Sequence, residues 1–434
     1  MSTYKTPGVY VEEVSTIPPS IVQVSTAIPV FLGYTKKDDS NDEAVRITSL
    51  NEYVETFGGS EEYALNAFTY DQNTDTYAAT LPSNINKFFY EAIQLYFLNG
   101  GGPCYIISVG GHDDTIALED FIGNVSSSIK NPFDEIEKLD EVTLICFPEA
   151  ASLSISNYNL VAGEAIKVCE NTKEKFVLLD VPNDNTVVFR DDVSGSSYAA
   201  AYHPYLETSI GLSYSETDTE LGTPGSAEYS KKVSIFNSIN KLVIPPSALI
   251  AGVYAKNDND RGFWKAPANV ALQGVVKPTK AISNAEQAGL NVDTTAGKSI
   301  NCIRQFKGKG NLVWGARTMD GNSNEWRYVN IRRLFMTAEE SIKKAIFPFV
   351  FESNNEKTWV KVRFMIEAYL LELWKDGALM GTSPDQAFFV QVGLGTTMTQ
   401  QDILNGRMIV EIGLAASRPA EFIVLKFSHK LQEV

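Results

Sequence analysis

The chain has 434 residues, 44% hydrophobic and 21% charged, a globular composition that excludes a disordered or fibrous protein. Fifty-three acidic residues against 37 basic ones give a formal net charge of −16, which argues against general nucleic-acid binding, because neutralising phosphates requires a basic surface. No apolar run approaches the roughly 20 residues that cross a bilayer. The opening MSTYKTPGVYVEEV lacks the charged and apolar regions of a signal peptide, so cytoplasmic synthesis is expected.

At the start of the chain, Val9, Val11 and Val14 alternate with polar residues, but Pro7, Pro18, Pro19 and Pro29 forbid a helix and cut the stretch into short extended pieces. Residues 1–25 are too interrupted to build a core; their β-branched residues suit a strand lent to another sheet. Ile28–Tyr34 reads as a buried strand, and 36–75 is acidic. Ser83–Asn99 is expected to be a helix with Ile85, Phe88, Phe89, Ala92, Leu95 and Tyr96 on one broad apolar face, closed by Gly100. A strand over Cys104–Val109 follows. Glu141–Phe147, a helix over 157–170 and Phe176–Val181 make a β-α-β unit, the signature of a parallel layer. Residues 211–230 read as a polar linker or surface loop.

The last third is richer in regular elements. Asn330–Phe347 is a predicted helix with Leu334, Ala338, Ile342 and Ile346 along one stripe and the pairs Glu339–Lys343 and Glu340–Lys344 outside. A second helix runs from Asn355 to Asp376, closed by Gly377. Strands are expected at Ala387–Val392, Arg407–Leu414 and Glu421–Ser428. In the last, Phe422, Val424 and Lys426 face one way and Ile423, Leu425 and Phe427 the other. An apolar strand of this kind must be covered, in its own sheet or by a neighbour.

The chemical motifs are weak. Gly100–Gly102 close a helix and precede a strand, the reverse of a phosphate loop. Gly297-Lys298-Ser299 has Val292 where a Walker motif needs glycine, and Gly211–Ser215 ends in serine where a nucleophile elbow needs glycine. His112-Asp113-Asp114 fits a turn. Four scattered cysteines fit buried thiols, and neither cysteine nor histidine spacing suggests a metal site, so no cofactor is expected. Residues 303–333 carry seven basic residues against two acidic ones: either a solvated face or a docking surface for an acidic partner.

Seven segments in chain order carry a more specific signal: PGVYVEEV (7–14), IPVFLGYT (28–35), SLNEYVETFGG (49–59), YEAIQLYFLNGGGPCYIISV (90–109), PPSALIAGVYAKNDNDRGFWKAPAN (245–269), WRYVNIRRLFMTAEESI (326–342) and GRMIVEIGLAASRPAEFIVLKFSHK (406–430). Together they resemble contractile tail sheath proteins of contractile-tailed phages and phage-tail-like injection particles. The resemblance implies a mixed α+β and α/β multidomain protein. An inner α+β domain (26–110 and 245–415) would be joined by an outward α/β insertion (111–244), an N-terminal linker arm (1–25) and a C-terminal strand arm (416–434).

It also implies a structural subunit and not an enzyme: six copies per ring, rings stacked around an inner tube, and contraction that drives the tube through a target membrane. The implied partners are further copies of the chain, the inner tube protein, baseplate and terminal cap proteins, and sheath paralogues where a particle carries several; nucleic acid is not among them. Assembly in the cytoplasm into a virion or a released particle is expected. Val9, Val11, Val14, Phe422, Val424, Leu425 and Phe427 are the expected intersubunit arm residues. Arg332, Arg333, Glu339, Glu340, Lys343 and Lys344 are the expected tube-facing set. The competing reading, a cytoplasmic α/β enzyme with its site in the middle domain, finds no catalytic constellation to anchor it.

Overall fold

The computed structural model describes residues 21–37, 43–60, 62–63, 69–71, 74, 76–78, 87–124, 129–211, 213–214, 221–239 and 241–424. Two compact units divide them: Val24–Ala338 joined by the segment from Ser417, and Glu339–Ala416 together with 21–23.

The larger unit is built on a nine-stranded sheet. Its strands are β1 (Pro29–Thr35), β2 (Val45–Ile47), β3 (Cys104–Gly111), β4 (Leu144–Cys146), β5 (Phe176–Asp180), β6 (Ala199–His203), β7 (Val270–Ala271), β8 (Ile300–Phe306) and β9 (Gly310–Val313), in the order β7-β9-β8-β6-β5-β4-β1-β3-β2. The six strands from β8 to β3 are parallel; β2 at one edge and β9 at the other side run against them, and β7 pairs antiparallel with β9. Near-continuous apolar runs such as PVFLGYT and FVLLD suit strands buried on both faces.

Alternation divides each run between two cores. Phe31, Ile106 and Leu178 pack with α1 (Phe89–Leu98) and α3 (Ser247–Arg261), whereas Val30, Leu32, Ile107 and Leu179 pack with α2 (Ile155–Thr172). The expected β-α-β unit is present as β4, α2 and β5.

Helix α1 begins at Phe89, later than the apolar pattern suggested, and 83–86 lie outside the described residues. Phe88 offers no side-chain cap. Instead the carboxylate of Glu149 accepts from the N–H groups of Phe88 (2.7 Å) and Phe89 (3.0 Å), and from Tyr34 N–H (2.7 Å). Asp180 does the same for α3, accepting from the N–H (2.8 Å) and Oγ (2.5 Å) of Ser247. Both carboxylates meet the positive end of a helix. At the other end of α1, Gly100 takes the expected left-handed conformation (φ 96°).

Two expectations about organisation need correction. Residues 144–203 supply β4, β5 and β6 to the same sheet as β1 and β8, so 111–244 is not a separate body among the described residues. Parallel crossovers insert these strands between β1 and β8, which a linear division of the chain cannot reveal. The expected linker 211–230 also ends early, because a helix already spans Ala227–Ile239.

The smaller unit contains most of the second half of α4 (Val329–Ile346), then α5 (Glu356–Lys375) and a two-stranded antiparallel sheet of β10 (Phe388–Gln391) and β11 (Glu411–Leu414). Asn355, expected as the first residue of this helix, instead caps α5 by accepting from Thr358 N–H at 3.2 Å. β11 starts four residues later than expected, because Gly406 (φ 73°) and Arg407 close a turn onto Asp402.

Candidate functional site

The expected tube-facing helix is α4, and only part of its polar set reaches the surface. Leu334, Ala338 and Ile342 form the buried stripe. Arg332 and Arg333 are buried as well, 7% and 3% exposed, so they are not tube-facing residues. Arg333 pairs with Asp258 on α3, lies over the ring of Tyr254, and donates to Thr26 O (2.7 Å). Burial disfavours its charge, but Asp258 outweighs that and raises the guanidinium pKa above its ordinary value. Removing one partner of such a pair typically costs about 3–5 kcal/mol. Arg332 stacks between Trp326 and Tyr198.

In the other unit, Glu340 is also buried and accepts from both Lys343 (3.2 Å) and Lys344 (3.3 Å). Of the expected set, Glu339, Lys343 and Lys344 are exposed. The correction has one cause: helical period identifies the apolar stripe, but long charged side chains beside it can fold over the core or reach a partner on another helix.

The basic stretch 303–333 is likewise not one open docking face. Arg304 donates to Asn284 and Gln287, Arg317 is 4% exposed, and Arg332 and Arg333 are buried as described.

The two-stranded sheet of the smaller unit is the more promising surface. Two strands alone are marginal in water, and among the described residues neither β10 nor β11 has a further strand beside it. Phe389 lies across the strand from Gly413, where any Cβ would come within 2.1 Å of its ring. Phe364 and Phe389, both about half exposed, line an open groove of about 680 Å³ with Ala368, Leu371 and Phe388. Exposed aromatics beside a two-stranded sheet with open edges form an apolar surface suited to another chain.

At the C-terminus the expected strand over Glu421–Ser428 is not present in its described part: 421–424 have no strand partner, and Phe422, Ile423 and Val424 are 71%, 79% and 75% exposed. Leu425 and Phe427 lie outside the described residues, as do Val9, Val11 and Val14. Glu421 itself is held against the larger unit by Arg317, Asn291 and Tyr328. The exposed apolar run therefore follows a fixed point, and nothing in the local sequence marks Glu421 as that point.

Catalytic alternatives have little geometry behind them. Burial pushes the carboxyls of Glu149 and Asp180 up to about 8 and about 7, yet both are occupied by helix N-termini. Among the described residues no three His, Cys, Asp or Glu side chains are grouped to hold a metal, all four cysteines are buried and free, and His112–Asp114 form a turn.

Comparison with known proteins gives a consistent answer. Residues 135–319 match the phage tail sheath protein central domain, and 322–430 the phage tail sheath C-terminal domain. The contracted sheath complex of the extracellular contractile injection system PVC is 32% identical over 99% of each chain, with a TM-score of 0.70. The contracted helical sheath of the anti-feeding prophage AFP is 35% identical over 99% of this chain and all of that one, with a TM-score of 0.71. The tail sheath protein of Enterobacteria phage T4 is 24% identical over 241 residues, 55% of this chain. That match covers 35% of the T4 protein, and a second tail sheath protein, of Vibrio phage KVP40, is covered to 34%, so the chain spans about a third of the length of these curated relatives.

Proposed function

Because the chain belongs to the phage tail sheath family, we propose that it is the structural subunit of a contractile sheath. It polymerises as stacked six-fold rings around an inner tube and contracts to drive that tube through a target membrane. Its partners are further copies of itself, the inner tube protein, baseplate and cap proteins and, in particles with several sheath proteins, its paralogues. Assembly takes place in the cytoplasm, and the product is a virion or a released particle.

The observation that carries the proposal is the lone β10–β11 sheet beside an apolar groove, in a chain with an exposed apolar segment at one end. A strand from a neighbouring copy, supplied by 1–25 or by 416–434, would extend that sheet. Strand addition rests on main-chain hydrogen bonds, so it tolerates changing side-chain surroundings while the bodies rotate and re-pack. Contraction needs no nucleotide if the extended state is kinetically trapped and the contracted one buries more surface.

Negative-stain microscopy of the purified chain provides the test. Tubular polymers are expected; a protein that stays monomeric at all concentrations and carries a bound nucleotide or metal would favour the enzyme reading.

A further inference from the structure

The clamp on Glu421 is out of proportion to its place in the chain. Its Oε1 accepts from Asn291 Nδ2 (2.7 Å) and Arg317 Nε (3.0 Å), and its Oε2 from Arg317 Nη2 (2.6 Å) and Tyr328 Oη (3.1 Å). The three donor residues come from separate parts of the larger unit: the end of a helix over Asn284–Asn291, the loop after β9, and the residue before α4. Arg317 is itself fixed, because its Nη1 donates to Asn291 O (3.2 Å) and its N–H to Asn301 Oδ1 (2.7 Å).

The fork-on-carboxylate geometry is directional as well as strong. Partial burial opposes ionisation, but Arg317 and Asn291 hold the carboxyl below the usual carboxylate range. Upstream, Asn330 Nδ2 reaches Ser417 O at 3.3 Å, so the root of the segment is held twice. Immediately downstream, Phe422, Ile423 and Val424 are each more than two-thirds exposed.

We propose that Glu421 is the positioning residue of the C-terminal segment. The clamp fixes where and in which direction the chain leaves the body, so that Phe422 and the residues after it are presented to a second copy of this chain. The inference rests on the reading of 416–434 as an intersubunit arm. Its physical content is pre-organisation: ordering the root of the segment is completed in the monomer, so less conformational freedom is lost when a neighbour captures the rest. A carboxylate suits the task because only an acceptor with two oxygens can engage the Arg317 fork and two neutral donors together.

The test uses the full chain and Glu421→Gln, which keeps size but loses one acceptor oxygen and the charge. All four native cysteines are buried, so a spin label placed through Ala420→Cys, beside the clamp, reports selectively on the root, and polymers are assayed on unlabelled protein. The expected result is at most a modest fall in monomer melting temperature, because Arg317 keeps its bonds to Asn291 O and Gly321 O, a sharply more mobile label, and a critical concentration for polymer formation raised about tenfold or more, because pre-organisation is lost. Tyr328→Phe, which removes one donor of four, should give a smaller change in the same direction.

Two outcomes overturn the proposal: a label as immobile, with polymers as abundant, in Glu421→Gln as in the parent; or a large fall in monomer melting temperature, which makes the clamp a stability element only. Deleting 422–434 separates this from the arm reading. Loss of polymers on deletion, with none in Glu421→Gln, would overturn the clamp alone, whereas normal polymers after deletion would overturn the arm as well.

Discussion

Glu149 is the residue on which several elements of the larger unit converge, since one carboxylate ties β1, the turn after β4 and the start of α1. Burial pushes it up to about 8 against the pull of three N–H donors. Because this folded-state value lies above the ordinary unfolded one, the fold favours the neutral form. Stability is then full below the ordinary carboxylate range and is lost as pH rises through about 8. Glu149→Gln abolishes the titration. The parent is expected to lose about 5 °C or more of melting temperature relative to this variant between pH 5 and pH 9, given a few degrees per kcal/mol for a unit of this size. Asp180 titrates in the same direction in both proteins and cancels. Thermal melts at matched ionic strength decide the matter, and parallel profiles for the two proteins would exclude the assignment. No local pattern marks Glu149 as a helix cap, because the helix it serves begins some 60 residues earlier in the chain.

At the level of elements, α4 and α5 show what a sequence reveals and what it withholds. Their lengths and the apolar stripe of α4 follow from local spacing, and the structure reproduces them within a residue or two. The parallel strands β1, β3, β4 and β5 were legible for the same reason: continuous apolar runs have few other uses. Strands β6 and β8 and helix α3 are less legible, because AAAYH, INCIRQF and SALIAGVYAKNDNDR show no clear amphipathic period, although Pro246 and Gly262 bound α3. The misplaced part was the solvent side of α4, where Arg332 and Arg333 are consumed internally by Trp326, Tyr198 and Asp258. What remains for a partner is Glu339, Lys343 and Lys344. If these lysines meet the inner tube, neutralising both as Lys343→Gln with Lys344→Gln weakens tube co-sedimentation of extended sheath several-fold, while contracted sheath and monomer melting change little, as expected for exposed ion pairs. Glutamine is the better choice than glutamate here, since new negative charges would face the buried Glu340. Undiminished co-sedimentation would remove α4 from the tube interface.

For the whole molecule, the decisive quantity is the net charge of −16. Copies of so acidic a chain repel at long range, and at physiological salt that repulsion fades only beyond about 8 Å. Ordered association therefore needs short-range directional contacts that outweigh it. The larger unit closes its own core: interior strand β1 is fully buried between two helical layers, and its approach is fixed by Ile28 N–H donating to Thr143 Oγ1 (2.9 Å) and by Arg333 donating to Thr26 O (2.7 Å). Arg317 plays the matching part at the other terminus, so two arginines from the basic stretch secure the roots of both terminal segments. If the residues before such a root serve a neighbour, deleting 1–20 leaves a folded monomer with unchanged circular dichroism and melting, yet abolishes polymers in sedimentation. Added salt discriminates further. Screening should lower the critical concentration of the intact chain, because it relieves repulsion between bodies, but it cannot replace a missing strand and so should not rescue the truncated one. Polymers of normal length from the truncated chain, at any ionic strength, would show that the first twenty residues are not the arm.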